Sequence, residues 1–254
     1  MPALYKECPK CGYVRTAADT ASEDACPACG LVFAKYLMAK AGRVASRTPS
    51  VAVEAEDETA LTARAKALLF HVPEEVDPMF VYARGALLAA IAFYGVKLAA
   101  MDLPSWEMSA SLIHLPMVPI HEFGHVLFMP FGEFMMLLGG SLFQVTLPLI
   151  FGGIFLAKNR DPFAASAMLW WSAIAVMDVA PYIYDAWKPQ HVLLTGRTGD
   201  TGAHDFIDVL GNLGLLERAQ PIGYAAHAFG LAMMLAALGW GAYILWLQYR
   251  RRGL

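Results

Sequence analysis

The sequence predicts an all-α polytopic membrane bundle of about five apolar segments, preceded by a small β module. Three observations predict it. Of the 254 residues 57% are hydrophobic and 16% charged, at a mean hydropathy of +0.46, whereas a soluble domain carries about 45–50% apolar and about 25% charged residues. The charge is uneven: residues 1–78 hold 9 Lys/Arg and 11 Asp/Glu, or 20 of the 41 charged side chains. All four cysteines lie before residue 30, in two CxxC pairs.

The elements follow in three parts: residues 1–40, a linker over 41–78, and a helical membrane domain over 79–254. No apolar stretch precedes the first cysteines, so a cleaved signal peptide is not expected and the segment near residue 80 would act as a signal-anchor. The pairs read Cys8-Pro9-Lys10-Cys11-Gly12 and Cys26-Pro27-Ala28-Cys29-Gly30, with 14 residues between them. Each supplies two thiolates and a glycine for the tight turn beneath a metal, and four thiolates close a tetrahedral structural zinc site. So small a core needs the metal to fold. Paired thiolates also suit a reducing compartment, which places this part in the cytosol. The module resembles the zinc-ribbon family over residues 4–36. Zinc ribbons bind proteins or nucleic acids, or act as structural caps. The net charge of −3 argues against nucleic acid held by bulk electrostatics; the motif does not choose between a cytosolic protein partner and a structural cap. Lys35, Lys40, Arg43 and Arg47 read as a solvated or membrane-facing basic edge.

Residues 41–60 are small, polar and of mixed charge, without a lasting apolar period, and read as linker. A short amphipathic helix is expected through Leu61, Ala65, Leu68 and Leu69. Apolar segments follow at 79–101, 109–130, 134–157, 163–187 and 222–249, each near the ~20 residues that span a bilayer core. Gly139-Gly140 and Pro148 predict that the third is kinked or re-entrant. Residues 188–221 form a loop with one short helix, HDFIDVLGNLGLL. Basic residues favour a cytosolic N-terminal side and a cytosolic C-terminus at Arg250–Arg252. Five full spans cannot satisfy both.

The chemistry-bearing motif is His121-Glu122-Phe123-Gly124-His125, inside the second apolar segment. On a helix, His121 and His125 share one face and can bind one zinc, with Glu122 beside the metal's water. Zinc lowers the pKa of that water to roughly 7, and the glutamate can take its proton as general base. Two histidines and a glutamate in a membrane segment are costly unless they face a metal or a polar site. A polar contact between helices is the plainer alternative.

Here the chain resembles the site-2-protease family of intramembrane zinc metalloproteases, over roughly residues 105–190. The resemblance implies zinc ligands at His121 and His125, a base at Glu122, and a third, Asp ligand on a later helix. Gly139-Gly140-Ser141-Leu142-Phe143-Gln144 loosely matches the family's middle motif, which makes Gln144 a substrate or transition-state contact. In place of the family's Asp-Gly stands Met177-Asp178-Val179-Ala180-Pro181, closer to a divergent branch with an Asp-aliphatic pair. Asp178 is therefore the first choice for third ligand, and a rise of about 1.5 Å per residue puts it near the depth of the histidines. His204 and Asp205 are a second candidate pair, on a loop helix folding back over the site. Asp185 is a third. His114, two turns before His121, either lines the site or is an interfacial residue, and His227 reads as a hydrogen-bonder within the bundle.

The expected function is a membrane-embedded zinc metallopeptidase that hydrolyses a peptide bond in or near a membrane segment. It would hold one structural and one catalytic zinc, with the ribbon recruiting substrate or a regulator. The alternative is a non-proteolytic zinc-ribbon membrane adaptor. A metal transporter is disfavoured by the lack of repeated halves.

Overall fold

The computed structural model describes residues 6–19, 22, 24–45, 50–193 and 196–252. Residues 1–5 of the expected ribbon, and Arg47 of its basic edge, lie outside them. The chain divides into two units, Met1–Ala63 and Arg64–Leu254.

In the first unit the two knuckles fold alike. Cys8 N–H donates to the Tyr13 carbonyl and Gly12 N–H to the Cys8 carbonyl; Cys26–Leu31 and Gly30–Cys26 repeat the pattern. Gly12 and Gly30 sit at φ +72° and +70°, the left-handed turn that a side chain would oppose. The described residues here contain no strand, only the antiparallel bridges Glu7–Val14 and Ala25–Val32. The expected β ribbon is thus corrected to a pair of knuckles. Each closes after one bridge, and there is no room for a ladder. Helix α1 (Phe33–Ala45) follows.

Helix α2 (Ser50–Leu69) replaces most of the expected linker. Its composition explains the difference. Ala, Glu, Leu, Lys and Arg form helix by intrinsic propensity, and the search for an apolar period misses a helix that has none.

Among the described residues four helices are long and apolar enough to cross a membrane: α3 (Pro78–Ala99), α5 (Glu133–Ile154, continued by a wider turn to Asn159), α6 (Pro162–Asp185) and α8 (Ala219–Arg251). The chain is an integral membrane protein by this measure. Helix α6 is the centre of the bundle, 72% buried along its apolar window against 11% for α3. Phe80, Phe93 and Val96 on α3 are exposed, as lipid-facing residues would be. Helix α8 runs antiparallel to α6 and approaches it closely at Gly223, Gly230 and Gly241, where an added methyl would meet Ala180 and Tyr184, Met177, and Ser166. Small residues at such seams let membrane helices pack without a hydrophobic driving force.

The second predicted span, 109–130, is the correction. Helix α4 (His114–Phe128) has 15 residues, about 22 Å, against a hydrocarbon core of about 30 Å. It begins part-way along the bundle: Ile113 N–H donates to Tyr94 Oη of α3, and His114 meets Asp178 of α6. From there it runs antiparallel to α5. Arg84 pairs with Asp161, the N-cap of α6. Val76 bridges Arg252, and Arg251 Nη1 donates to the Val72 carbonyl. The starts of α3 and α6 and the ends of α5 and α8 therefore share one end of the bundle, so the parity conflict of five spans does not arise. Helix α5 is continuous where a break was expected. Gly139 and Gly140 seat α4 at close range, and beside Pro148 the Val145 carbonyl accepts from the Ser172 hydroxyl.

Candidate metal centre

At the N-terminal site the Sγ atoms of Cys8 and Cys29, and of Cys11 and Cys26, are 3.7 Å apart. Disulfide sulfurs would be about 2.05 Å apart, whereas a tetrahedron with Zn–S bonds of about 2.3 Å has edges of about 3.8 Å. All four sulfurs lie within 4.8 Å of one another. Burial opposes ionisation of Cys8, but the backbone N–H groups of Lys10 and Cys11 and the Cys11 and Cys26 side chains outweigh it, lowering the thiol to about 6. This cluster could hold a metal ion such as zinc.

In the second unit α4 presents His121 and His125 one turn apart, and α5 and α7 (Asp205–Asn212) complete the site. Asp205 Oδ2 lies 3.2 Å from His121 Nε2 and 3.3 Å from His125 Nε2. Ligand bonds of about 2.0–2.2 Å to a tetrahedral zinc imply donor separations near 3.4 Å. Both rings are anchored at the far nitrogen. His121 Nδ1 donates to Gln144 Oε1 (3.1 Å) and His125 Nδ1 to the Met136 carbonyl (2.8 Å). Protonation at Nδ1 leaves each Nε2 lone pair facing the carboxylate, as metal-ligating histidines require. Gly140 supplies the space: a methyl there would lie 2.6 Å from His125 Nε2 and 2.7 Å from His121 Nε2. Donor types, spacing and clearance fit a metal ion such as zinc.

Asp205 opens α7, and its N–H donates to Tyr182 Oη of α6 (3.0 Å).

The structure brings Asp205, not Asp178, to the histidine pair. Asp178 was the first choice on depth, but both its oxygens face His114 Nδ1, at 2.9 and 3.1 Å, and Oδ2 also accepts from Gln144 Nε2 at 2.8 Å. Gln144, expected to touch substrate, is buried with both amide ends engaged. Asp185 accepts from the backbone N–H of Gln190 and His191, tying down the loop after α6. His204 is fully buried, stacked on Tyr182 at 4.2 Å, with Nε2 3.7 Å from Asp185 Oδ2. His227 Nε2 donates to the Ala99 carbonyl, within the bundle. Sequence reasoning missed Tyr182, Gly140 and the Met136 carbonyl. Only the Gly139-Gly140 pair carried a signal, as an expected kink and as the start of the loose match to the family's middle motif, but neither reading gives Gly140 the role of clearing space for the rings.

A cavity of about 940 Å³ opens beside these groups. His114, His121, Glu122 and Asp205 share its wall with apolar residues such as Leu115, Val118 and Val179. Trp106 and His191, from two connecting loops, stack at 3.3 Å over part of it. No family model matches the chain, and neither a curated protein nor a solved structure matches it.

Proposed function

We propose that the protein is an HExxH-type intramembrane zinc metallopeptidase, related to the site-2-protease group, that hydrolyses a peptide bond in or near a membrane segment. The observation that carries the reading is the convergence of His121 Nε2, His125 Nε2 and Asp205 Oδ2 with both rings anchored at Nδ1. Zinc bound there would supply Lewis acidity to a water and to a peptide carbonyl. The chain's own groups do the rest. Glu122 lines the cavity next to the ligand pair and accepts the water's proton at its carboxylate, later returning it to the leaving amine. Apolar walls exclude bulk water and receive the side chains of an unwound membrane segment.

In this reading the four-cysteine module holds a structural zinc and recruits substrate or a regulator. Arg84, Lys158, Arg160 and Arg250–Arg252 belong to one end of the bundle, which the positive-inside rule assigns to the cytosol. The metal centre then sits toward the opposite end.

Zinc per chain in the full-length protein in detergent tests the metal centre. Two zincs, falling to one in His121→Ala, are expected; one zinc in both proteins would overturn the reading. Glu122→Gln tests the chemistry. It should keep both zincs while the new N-termini that the active protein generates in co-reconstituted single-span membrane proteins disappear. Unchanged cleavage would remove Glu122 from the mechanism. No cleavage by either protein, with two zincs retained, would favour the adaptor alternative.

A further inference from the structure

Beside the metal centre, along the wall of the same cavity, lies a set of polar groups for which the proposed chemistry has no use. Asp178 sits in the most buried helix, its side chain 3% exposed. A carboxylate in such a place is costly and calls for a role. It is the middle of a continuous chain. His114 Nδ1 lies 2.9 Å from Asp178 Oδ1, Gln144 Nε2 lies 2.8 Å from Asp178 Oδ2, and Gln144 Oε1 lies 3.1 Å from His121 Nδ1.

The chain has a direction, and the carboxylate sets it. A carboxylate only accepts, so Gln144 must turn its NH₂ toward Asp178 and its carbonyl toward His121. His121 must then carry its proton on Nδ1, because an unprotonated Nδ1 would face another lone pair. The lone pair on Nε2 is thereby aimed at the point shared with His125 and Asp205. If Gln144 turned over, its NH₂ would face His121 Nδ1. That would select the tautomer with a proton on Nε2, which cannot ligate. His125 needs no such device, since its Nδ1 donates to the Met136 backbone carbonyl, and a carbonyl can only accept.

We propose that Asp178, held by His114, is a positioning residue that acts through Gln144 to fix the tautomer and ring orientation of His121. The proposal rests on the reading of His121, His125 and Asp205 as a metal centre. It gives the buried carboxylate a role other than ligation and gives Gln144 a role other than substrate contact.

Zinc affinity at the membrane site tests it, measured by chelator competition on the full-length protein in detergent, with the four-cysteine site as internal control. Gln144→Met keeps the volume and removes both hydrogen bonds. It should weaken the membrane site about 10–100-fold, the usual loss when a ligand's supporting partner is removed. Asp178→Leu frees Gln144 to turn and should weaken it in the same direction. The decisive variant is Gln144→Glu combined with Asp178→Asn. It exchanges carboxylate and amide without changing shape. The carboxylate now at position 144 accepts from His121, and the amide now at position 178 donates to that carboxylate and accepts from His114. Affinity should return to at least that of the unmodified protein. A double variant as weak as Gln144→Met overturns the relay, and does so by itself if the methionine variant fails to fold. Equal affinity in Gln144→Met and the unmodified protein also overturns it, while the metal centre stands. One zinc in the unmodified protein and in His121→Ala alike removes the metal centre, and the relay falls with it.

Discussion

Replacing Gly140 with alanine should empty the membrane site while leaving the fold standing. The new methyl would lie 2.6 Å from His125 Nε2 and 2.7 Å from His121 Nε2, where ordinary contact begins near 3.4 Å, so the rings must retreat by 0.8 and 0.7 Å. Neither is free to do so, since Gln144 Oε1 and the Met136 carbonyl hold them from behind at 3.1 and 2.8 Å. Either an anchor breaks or Nε2 turns off the common point. Metal–ligand distances tolerate only about 0.2 Å. Two displaced ligands should therefore cost more than the about 10–100-fold lost when one supporting partner is removed. The fold is better protected. Overpacking costs about 1–3 kcal/mol, and replacing glycine in a helix returns about 0.5–1 kcal/mol. Chelator competition reads the affinity, and thermal melting in the same detergent reads the fold. Gly153→Ala is the matched control on the same helix, since nothing lies within 4 Å of its added methyl. Full zinc occupancy at unchanged affinity in Gly140→Ala would refute the placement of a metal between the two rings.

Other outcomes follow from single contacts. Asp161 caps α6 through the Ala164 N–H at 3.1 Å and pairs with Arg84, so Asp161→Ala should destabilise by about 1–2 kcal/mol, of which Asp161→Asn restores the capping part; denaturant unfolding measures both. Cys11→Ser should remove one zinc and unfold the knuckles while the helical signal of the bundle persists, as circular dichroism with elemental analysis would show. The pKa of His191 is lowered, chiefly by burial, with Asp185 opposing and His114 and His204 adding to the shift. A folded pKa below the unfolded one means that its stabilisation is present above about pH 6.5 and is lost as pH falls through the folded value. The Trp106–His191 stack should loosen on mild acidification, seen as a fluorescence change absent from Trp106→Phe.

Much of this protein was legible in its sequence because the signals are local. Apolar runs of bilayer length mark α3, α5, α6 and α8, and each needs only its own composition to be found. Two cysteines with a glycine behind them define a knuckle within five residues. The HExxH spacing puts two imidazoles on one helical face wherever that helix goes. Local signals also mislead where tertiary contacts take over. Residues 109–130 look like a span until Tyr94 and Asp178 show that the helix within them, α4, starts part-way along the bundle.

The third ligand shows the limit most clearly. Asp178 and Asp205 are both carboxylates, so residue type does not separate them, and depth along the helices favours the one that does not meet the pair. Asp205 stands 84 positions from His121, so only the fold of the intervening loop brings it close. Asp178 lies nearer in sequence but is engaged by His114 and Gln144. Composition and periodicity decided that there is a membrane bundle, a four-thiolate module and a histidine pair. The folded chain decided which acid meets the pair and which nitrogen of each ring faces it, because hydrogen-bond direction is a property of neighbours in space.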